Sequence, residues 1–588
     1  MASPFFFQAS SSNLIIGGNV GVGTNTPMSK LAVAGSLSVG SAYNGVSAPA
    51  DSFIVSGNVG IGTQTPMSTL AVAGSLSVGS TYTGITPPAD SFIVSGNVGI
   101  GTTTLDAKIS VVGNLKVAGG IGRWKAFPEY NGGTIACLNT VVLGMDGQIY
   151  QGGENNFGKG GNYGAYAGVV SGLVKASMPS DEVVTKFCVT SSARMALTQS
   201  NKLYSWGRGQ HGILGLGNTT DYYFPQLIST VADTIVDIQY TSADTAGDQE
   251  CYKQAGYFTS TGRLFLWGYN ANGEIGNGTT TTPVTTPYEV PIVGGAQKWG
   301  GFSAQSLAVF AWTDDASGNK LYATGYNPQG HMGVGDTTAR SSMTACIKTD
   351  NSQLTNVKKV RTNTTWHGGG TATTIVLTND GSIYTAGYNA YGQCGNGTTT
   401  TPVTKFYGPV LTNVKDFDIG RGDGANGIFA IKNDGTLWVW GYNSHQQFGT
   451  SAIANNTVVS TPVQVAGITD AYALYGIQSP FNGSMFLQKS DKSWWFAGQS
   501  QQGVGLAYNT TYPIWTKIPL PEEIVEIRAF RFYWTYDSGY YTLLMLGKSG
   551  RLWGTGRNNY GSLGNGNNGE ANGVTYSGLI PAYTVLAA

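Results

Sequence analysis

The 588 residues are 41% apolar and 11% aromatic, enough for a sizeable core and for roughly two to four ordinary domains. Charged residues make up only 11%, and 32 Lys and Arg are balanced by 32 Asp and Glu, so no long-range field gathers phosphate; nucleic acid and anionic membrane are disfavoured as partners. No window of about 18 apolar residues occurs, which argues against membrane insertion by a helix.

Glycine, at 86 residues, is about twice its usual share and falls between short Val/Ile/Leu/Tyr/Trp runs, the punctuation of many short strands. The expected class is all-β. Met1–Asn13 has no basic n-region, and its apolar run is limited to Phe5–Phe7, so export by the general secretory route is not expected. This segment reads as an anchor or tip. The five cysteines, Cys137, Cys188, Cys251, Cys346 and Cys394, show no C-x-x-C and no zinc spacing; free buried thiols and no metal are expected.

Residues 14–122 contain a 39-residue repeat marked by Asn19, Asn58 and Asn97. Within it Leu31, Val33, Leu37 and Val39 alternate with Ala32, Ala34, Ser36 and Ser38, the period-2 pattern of strands with one apolar face. One copy has too few Val, Leu and Ile to bury a core alone, which predicts an elongated homo-oligomeric stalk wound from several chains. GNVGIGT followed by LAVAGSLSV resembles the shaft repeats of bacteriophage tail fibres and of fibre proteins of large DNA viruses. That resemblance implies intertwined β-rich trimers, here a homotrimer. Residues 119–132 break both repeats and read as a neck.

Residues 123–588 carry a second repeat. Its best-marked strand starts at Ile149, Leu203, Leu264, Leu321, Ile383, Leu437, Trp494 and Leu552, 54 to 62 residues apart. A glycine follows four residues later each time: Gly153, Gly207, Gly268, Gly325, Gly387, Gly441, Gly498 and Gly556. A period this long, with two clear strands and room for two more, fits one propeller blade per repeat. Asp146-Gly147, Asp380-Gly381 and Asp434-Gly435 provide tight turns between paired strands. The segments LYSWGRGQHGILGLG, LWGYNANGEIGNG and IYTAGYNAYGQCGNG resemble the blade signature of the RCC1 (regulator of chromosome condensation) superfamily. The resemblance implies a β-propeller of seven or eight blades, and counting signatures favours eight. Gln446 replaces a loop glycine and GQSQQGVG is one residue short, so the sixth and seventh blades are expected to have altered loops. The apolar tail 578–588 is expected to share a blade with residues near 135–138 and so seal the ring.

Four histidines, His211, His331, His367 and His445, and the absence of hydrolase and phosphate-loop motifs predict no catalytic residues and no cofactor. Variation within the fixed frame is more informative. Eight residues from each strand start the copies read Phe157, His211, Asn272, Gln329, Tyr391, His445, Gln502 and Tyr560, positions that a propeller places on one rim. Five residues on, four copies read Tyr269, Tyr326, Tyr388 and Tyr442, followed by Asn270, Asn327, Asn389 and Asn443. Tyr rings stack on sugars and Asn or Gln amides bond their hydroxyls, but the Tyr-Asn pairs are better read as packing between blades and bonding of turn backbone.

These features predict a non-enzymatic, receptor-binding fibre of a virus or phage particle. Its N-terminus would dock on other virion or tail proteins and its propeller heads on a host glycan or protein receptor. A contractile-injection-system fibre, a bacterial adhesin, a glycan depolymerase and an intracellular RCC1-type exchange factor or scaffold are the alternatives.

Overall fold

A computed structural model describes short strands between residues 20 and 126, most of 139–556 apart from several connections between strands, and 576–581. The chain divides into two compact units, Met1–Val117 and Ala118–Ala588.

In the first unit the 39-residue period is visible as short parallel strand pairs. Val20–Val22 lies on Leu31–Val33, Val59–Ile61 on Leu70–Val72, and Val98–Ile100 on Ile109–Val111, each with the same register. Leu37–Val39 pairs likewise with Phe53–Val55, and Leu76–Val78 with Phe92–Val94. The Phe5–Phe7 anchor reading lies outside the described residues.

The second unit is eight four-stranded antiparallel sheets, each contiguous in sequence with its strands in chain order. The first comprises Trp124–Ala126, Asn139–Gly144, Ile149–Glu154 and Val169–Lys175, and the last Ile524–Arg531, Tyr541–Gly547, Leu552–Gly556 and Tyr576–Pro581. First strands of successive sheets adjoin one another and are stitched together. The Gln239 amide donates to the Phe302 carbonyl (3.1 Å), the Ser303 hydroxyl to Val360 O (3.2 Å) and the Lys359 ammonium to Phe417 O (2.7 Å). First strands therefore surround the axis and fourth strands lie outside: an eight-bladed propeller.

Third strands such as Leu203–Gly207 and Leu264–Gly268 are buried along their whole length, because each blade presses one sheet face on each neighbour. The hydrophobic core is accordingly split into layers between blades. Leu264, Trp299, Phe302 and Val309 join blades three and four; Phe429, Leu437, Ala471 and Met485 join blades six and seven. Aliphatic residues at alternate strand positions meet their counterparts about one period later, where each large side chain removes roughly 1.5–3 kcal/mol of apolar surface from water.

The expected closure is corrected. Tyr576–Pro581 pairs with Leu552–Gly556 as the outer strand of the last blade; residues 135–138 and 582–588 lie outside the described residues. Leu544, Leu546 and Leu552 of blade eight join one apolar cluster with Val141, Leu143 and Leu173 of blade one. An apolar strand pattern reveals that a segment is buried but not which sheet buries it, and among the described residues it is this side-chain packing that joins the last blade to the first.

Candidate functional site

In blades two to five the third strand ends at the fourth-offset glycine and enters a loop with successive tight turns. In blade three Gly273 N–H donates to Asn270 O and Gly276 N–H to Gly273 O, both at 3.0 Å. The φ angles of Gly273 and Gly276 are +87° and +73°, a left-handed backbone that disfavours a Cβ. Gly273 also lies against the next blade's outer strand, where a Cβ would meet Ser341 Cα at 2.3 Å. In blade six Gln446 takes φ +57° and Gly449 N–H still donates to its carbonyl (3.1 Å), but the Asn443 carbonyl accepts from Asn456 N–H (2.9 Å), so this loop is bonded differently from that of blade three. Polar residues near φ +60° tolerate this geometry where packing holds them. The short seventh loop lies outside the described residues.

Each loop also meets the third strand of the following blade. Indole N–H groups donate across the junction: Trp206 to Lys159 O (3.0 Å), Trp267 to Ile213 O (2.8 Å) and Trp440 to Gln393 O (2.9 Å). The loops are thus seals between blades before they are anything else.

The four asparagines after the tyrosines are fully buried. The Asn270 amide donates to Thr279 O and Thr281 O (both 3.1 Å) and its carbonyl accepts from Ile275 N–H (2.9 Å); Asn389 repeats the pattern with Thr398, Thr400 and Cys394. Asn327 accepts from Met332 N–H, and Asn443 from Phe448 N–H. These amides brace their own loops and are unavailable to a ligand, which decides the two readings of the Asn positions in favour of turn bonding.

The variable positions come to one end of the propeller, and Phe157, His211, Asn272, Gln329, Tyr391 and His445 are all partly exposed. Gln502 and Tyr560 lie outside the described residues. Sequence reasoning missed that the eighth-offset side chain of one blade touches the fifth-offset side chain of the next. The Arg208 guanidinium sits 4.4 Å from the Phe157 ring centroid, His211 meets Tyr269 edge-on at 5.4 Å, and Tyr391 packs on Tyr442 at 4.9 Å. Tyr388 approaches Tyr391 at 6.4 Å. Both offsets were legible in the repeat; only their meeting across the blade junction required the fold. Burial lowers the His211 pKa, with Arg208 adding to the effect, and burial lowers that of His445, so both rings are neutral near pH 7.

In blades three, five and six the side chain two residues after the variable position turns back to cap the loop. Glu274 accepts from Asn272 N–H (2.9 Å), Gln393 from Tyr391 N–H (2.9 Å) and Gln447 from His445 N–H (2.8 Å). The equivalent residue in blade four is His331, fully buried with neither ring nitrogen hydrogen-bonded, and burial pushes its pKa down to about 3.

The opposite end carries the charge. Hairpin turns there accept from the start of the next blade, as Gly147 O does from Val184 N–H (2.8 Å) and Gly381 O from Val414 N–H (2.9 Å). Arg263 pairs with Asp233 (3.2 Å) and Glu289 (2.5 Å), and Lys548 with Glu523 (2.7 Å). On the axial strands Lys359 pairs with Asp416 of the next blade at 2.6 Å. Among the described residues no group of three or more His, Cys, Asp or Glu could hold a metal, and no helix is long and apolar enough to cross a membrane. Cys188, Cys346 and Cys394 are free and buried; Cys137 and Cys251 lie outside the described residues.

Comparison with known proteins fits this geometry. The regulator of chromosome condensation (RCC1) repeat matches residues 200–243. Residues 118–588 form an eight-bladed RCC1-like propeller. Over 323 residues the chain is 26% identical to the Ultraviolet-B receptor UVR8 of Arabidopsis thaliana, covering 54% of this chain and 66% of that one. It is 27% identical over 352 residues to the human E3 ubiquitin-protein ligase HERC2, covering 57% of this chain and 7% of HERC2. The chain thus spans less than two thirds of these relatives. Among solved structures, Prp20p of Saccharomyces cerevisiae, described with its binding to Gsp1p and histones, aligns with 65% of this chain and 86% of its own, at a TM-score of 0.43 and 15% identity.

These relatives, eukaryotic proteins with similar repeats, overturn the viral or phage fibre reading. The physical reason lies in the first repeat. Alternating Val and small residues with glycine turns follow from strand geometry alone, so such a pattern recurs in unrelated chains. The propeller glycines are set by specific close contacts between blades and are far more discriminating.

Proposed function

We propose that this chain is an RCC1-type regulator that acts by holding a protein partner against the glycine-loop end of its propeller. The observation that carries the reading is the band of partly exposed rings and one guanidinium at the blade junctions, Phe157–Arg208, His211–Tyr269 and Tyr391–Tyr442. Aromatic and Arg side chains on a rigid support are the usual anchors of protein interfaces. Proteins as different as a light receptor and a ubiquitin ligase carry similar repeats, which favours a platform over a single chemistry.

Proximity labelling in cells tests this with a His211→Ala/Tyr391→Ala chain and a Lys415→Ala/Lys492→Ala chain altered at the hairpin end. Neighbours lost only from the first support the reading. Neighbours retained by the first, or lost only from the second, would sink it.

Self-association through residues 14–122 is retained as a separate proposal, motivated by their small apolar complement. Light scattering should give a trimer mass for the full chain and a monomer mass for 123–588; a monomeric full chain removes the idea.

A further inference from the structure

The loops of blades five and six differ from the rest of the surface in carrying no charge at all. Residues 388–402 and 442–457 contain no Lys, Arg, Asp or Glu, and burial keeps His445 neutral near pH 7. Three tyrosines rise from them. The Tyr388 and Tyr391 rings meet at 57° with centroids 6.4 Å apart, forming an open V, and Tyr442 extends the row beyond Tyr391 at 4.9 Å.

The polar chemistry left at this surface is narrow. Asn389 and Asn443 are buried and bonded to their own loops, and the Tyr442 hydroxyl reaches Asn456 at 3.3 Å. Among the described residues the Tyr388 and Tyr391 hydroxyls have no acceptor and remain free to donate. Around the tyrosine row the surface therefore offers flat aromatic faces and two phenolic donors, while the amides of Asn389 and Asn443 beside it are turned to their own loops. It offers no counter-charge to an acidic or basic peptide.

Resting on the proposed protein-binding role of this end, we infer that the Tyr388–Tyr391–Tyr442 row docks an uncharged, proline-rich segment of the partner. Such a segment is already extended in the polyproline II form, so little ordering entropy opposes binding. Its rings stack in aromatic notches, and its carbonyls, unbonded within the chain, accept from phenolic hydroxyls. A V of two rings with two phenolic donors matches both requirements. The wall is preorganised, because Tyr388 follows the buried third strand Ile383–Gly387 and the Tyr391 N–H is held by Gln393.

The test is fluorescence anisotropy of a labelled decaproline peptide with the full chain, beside oligolysine, oligoglutamate and maltoheptaose. Decaproline is expected to bind, and Tyr391→Ala should weaken it about tenfold or more. Tyr391→Phe, which keeps the ring and loses the donor, should give an intermediate loss, and thermal melts should show both variants folded. Absence of decaproline binding, equal binding by Tyr391→Ala, or tighter binding of maltoheptaose or a charged peptide overturns the inference. Failure here is separable from failure of the protein-binding reading. If decaproline does not bind while labelled neighbours still depend on His211 and Tyr391, only the proline chemistry falls; if neighbours depend on neither residue, the wider reading falls too.

Discussion

The two ends of the propeller hold neighbouring blades together by different physics. At the glycine-loop end the contacts are neutral and steric: Gly273 lies against Ser341, and the Trp267 indole donates to Ile213 O. At the hairpin end, backbone hydrogen bonds from turn to strand are accompanied by partly exposed ion pairs such as Arg263–Glu289 and Lys548–Glu523. Exposed pairs contribute little and are screened by salt, whereas a close backbone approach has no slack. The first end should be sensitive to added atoms and the second tolerant of them.

Glycine substitutions give the largest separation. Gly273→Ala places a Cβ 2.3 Å from Ser341 Cα while forcing an L residue to φ +87°, and the summed strain and overpacking should cost about 2–4 kcal/mol. Gly467, at the hairpin end, has φ +79° but nothing within 4 Å of its Cβ position, so Gly467→Ala retains only the backbone term, about 1 kcal/mol. Denaturant midpoints of the two variants measure the difference directly. Equal losses would show that the loops do not lock the blades.

Acid should separate the ends next. His331 has its folded pKa lowered to about 3 against about 6.5 unfolded, so between these values the unfolded chain holds a proton that the folded chain lacks. Stability is complete above pH 6.5 and falls as pH drops toward 3, by on the order of 2 kcal/mol at pH 5. Carboxylates at the hairpin end move differently. Hydrogen bonds from Thr436 lower Asp434, and those from Arg263 lower Glu289, so their contributions are present above the ordinary carboxylate pKa and are lost only below it. Loss between pH 6.5 and 5 therefore belongs to the glycine-loop end. His331→Gln, which supplies the amide found at Gln393 and Gln447, should flatten the slope in melts recorded across that range; an unchanged slope would assign it elsewhere.

Much of this contrast was legible in the sequence. The recurrence of Gly268, Gly273, Gly276 and their counterparts favoured eight blades over seven, and the six described eighth-offset residues share one end. What stayed hidden depends on neighbours one period away. Asn270 and Asn389 looked as fit for ligands as for turns until their carbonyl partners were visible. The destination of Tyr576–Pro581 was misjudged because its apolar pattern suits any buried edge. His331 gave a signal that could have been read: within blades three to six it alone departs from Glu274, Gln393 and Gln447, which carry acyl oxygens.

The smallest effect probes the band itself. Blades three to six carry Tyr at the fifth offset, and blade two carries Arg208, whose guanidinium covers Phe157 at 4.4 Å. A cation over an aromatic ring at a partly exposed site contributes about 0.5–1 kcal/mol. Arg208→Gln should lose that amount in denaturant melts, with little dependence on salt because the attraction is to a ring quadrupole at contact distance. Arg208→Tyr should lose less, since an aromatic pair at this junction would reproduce the Tyr391–Tyr442 contact four blades further on. If both variants lost stability equally, the junction would require the guanidinium in particular, and the equivalence of these positions around the ring would not extend to blade two.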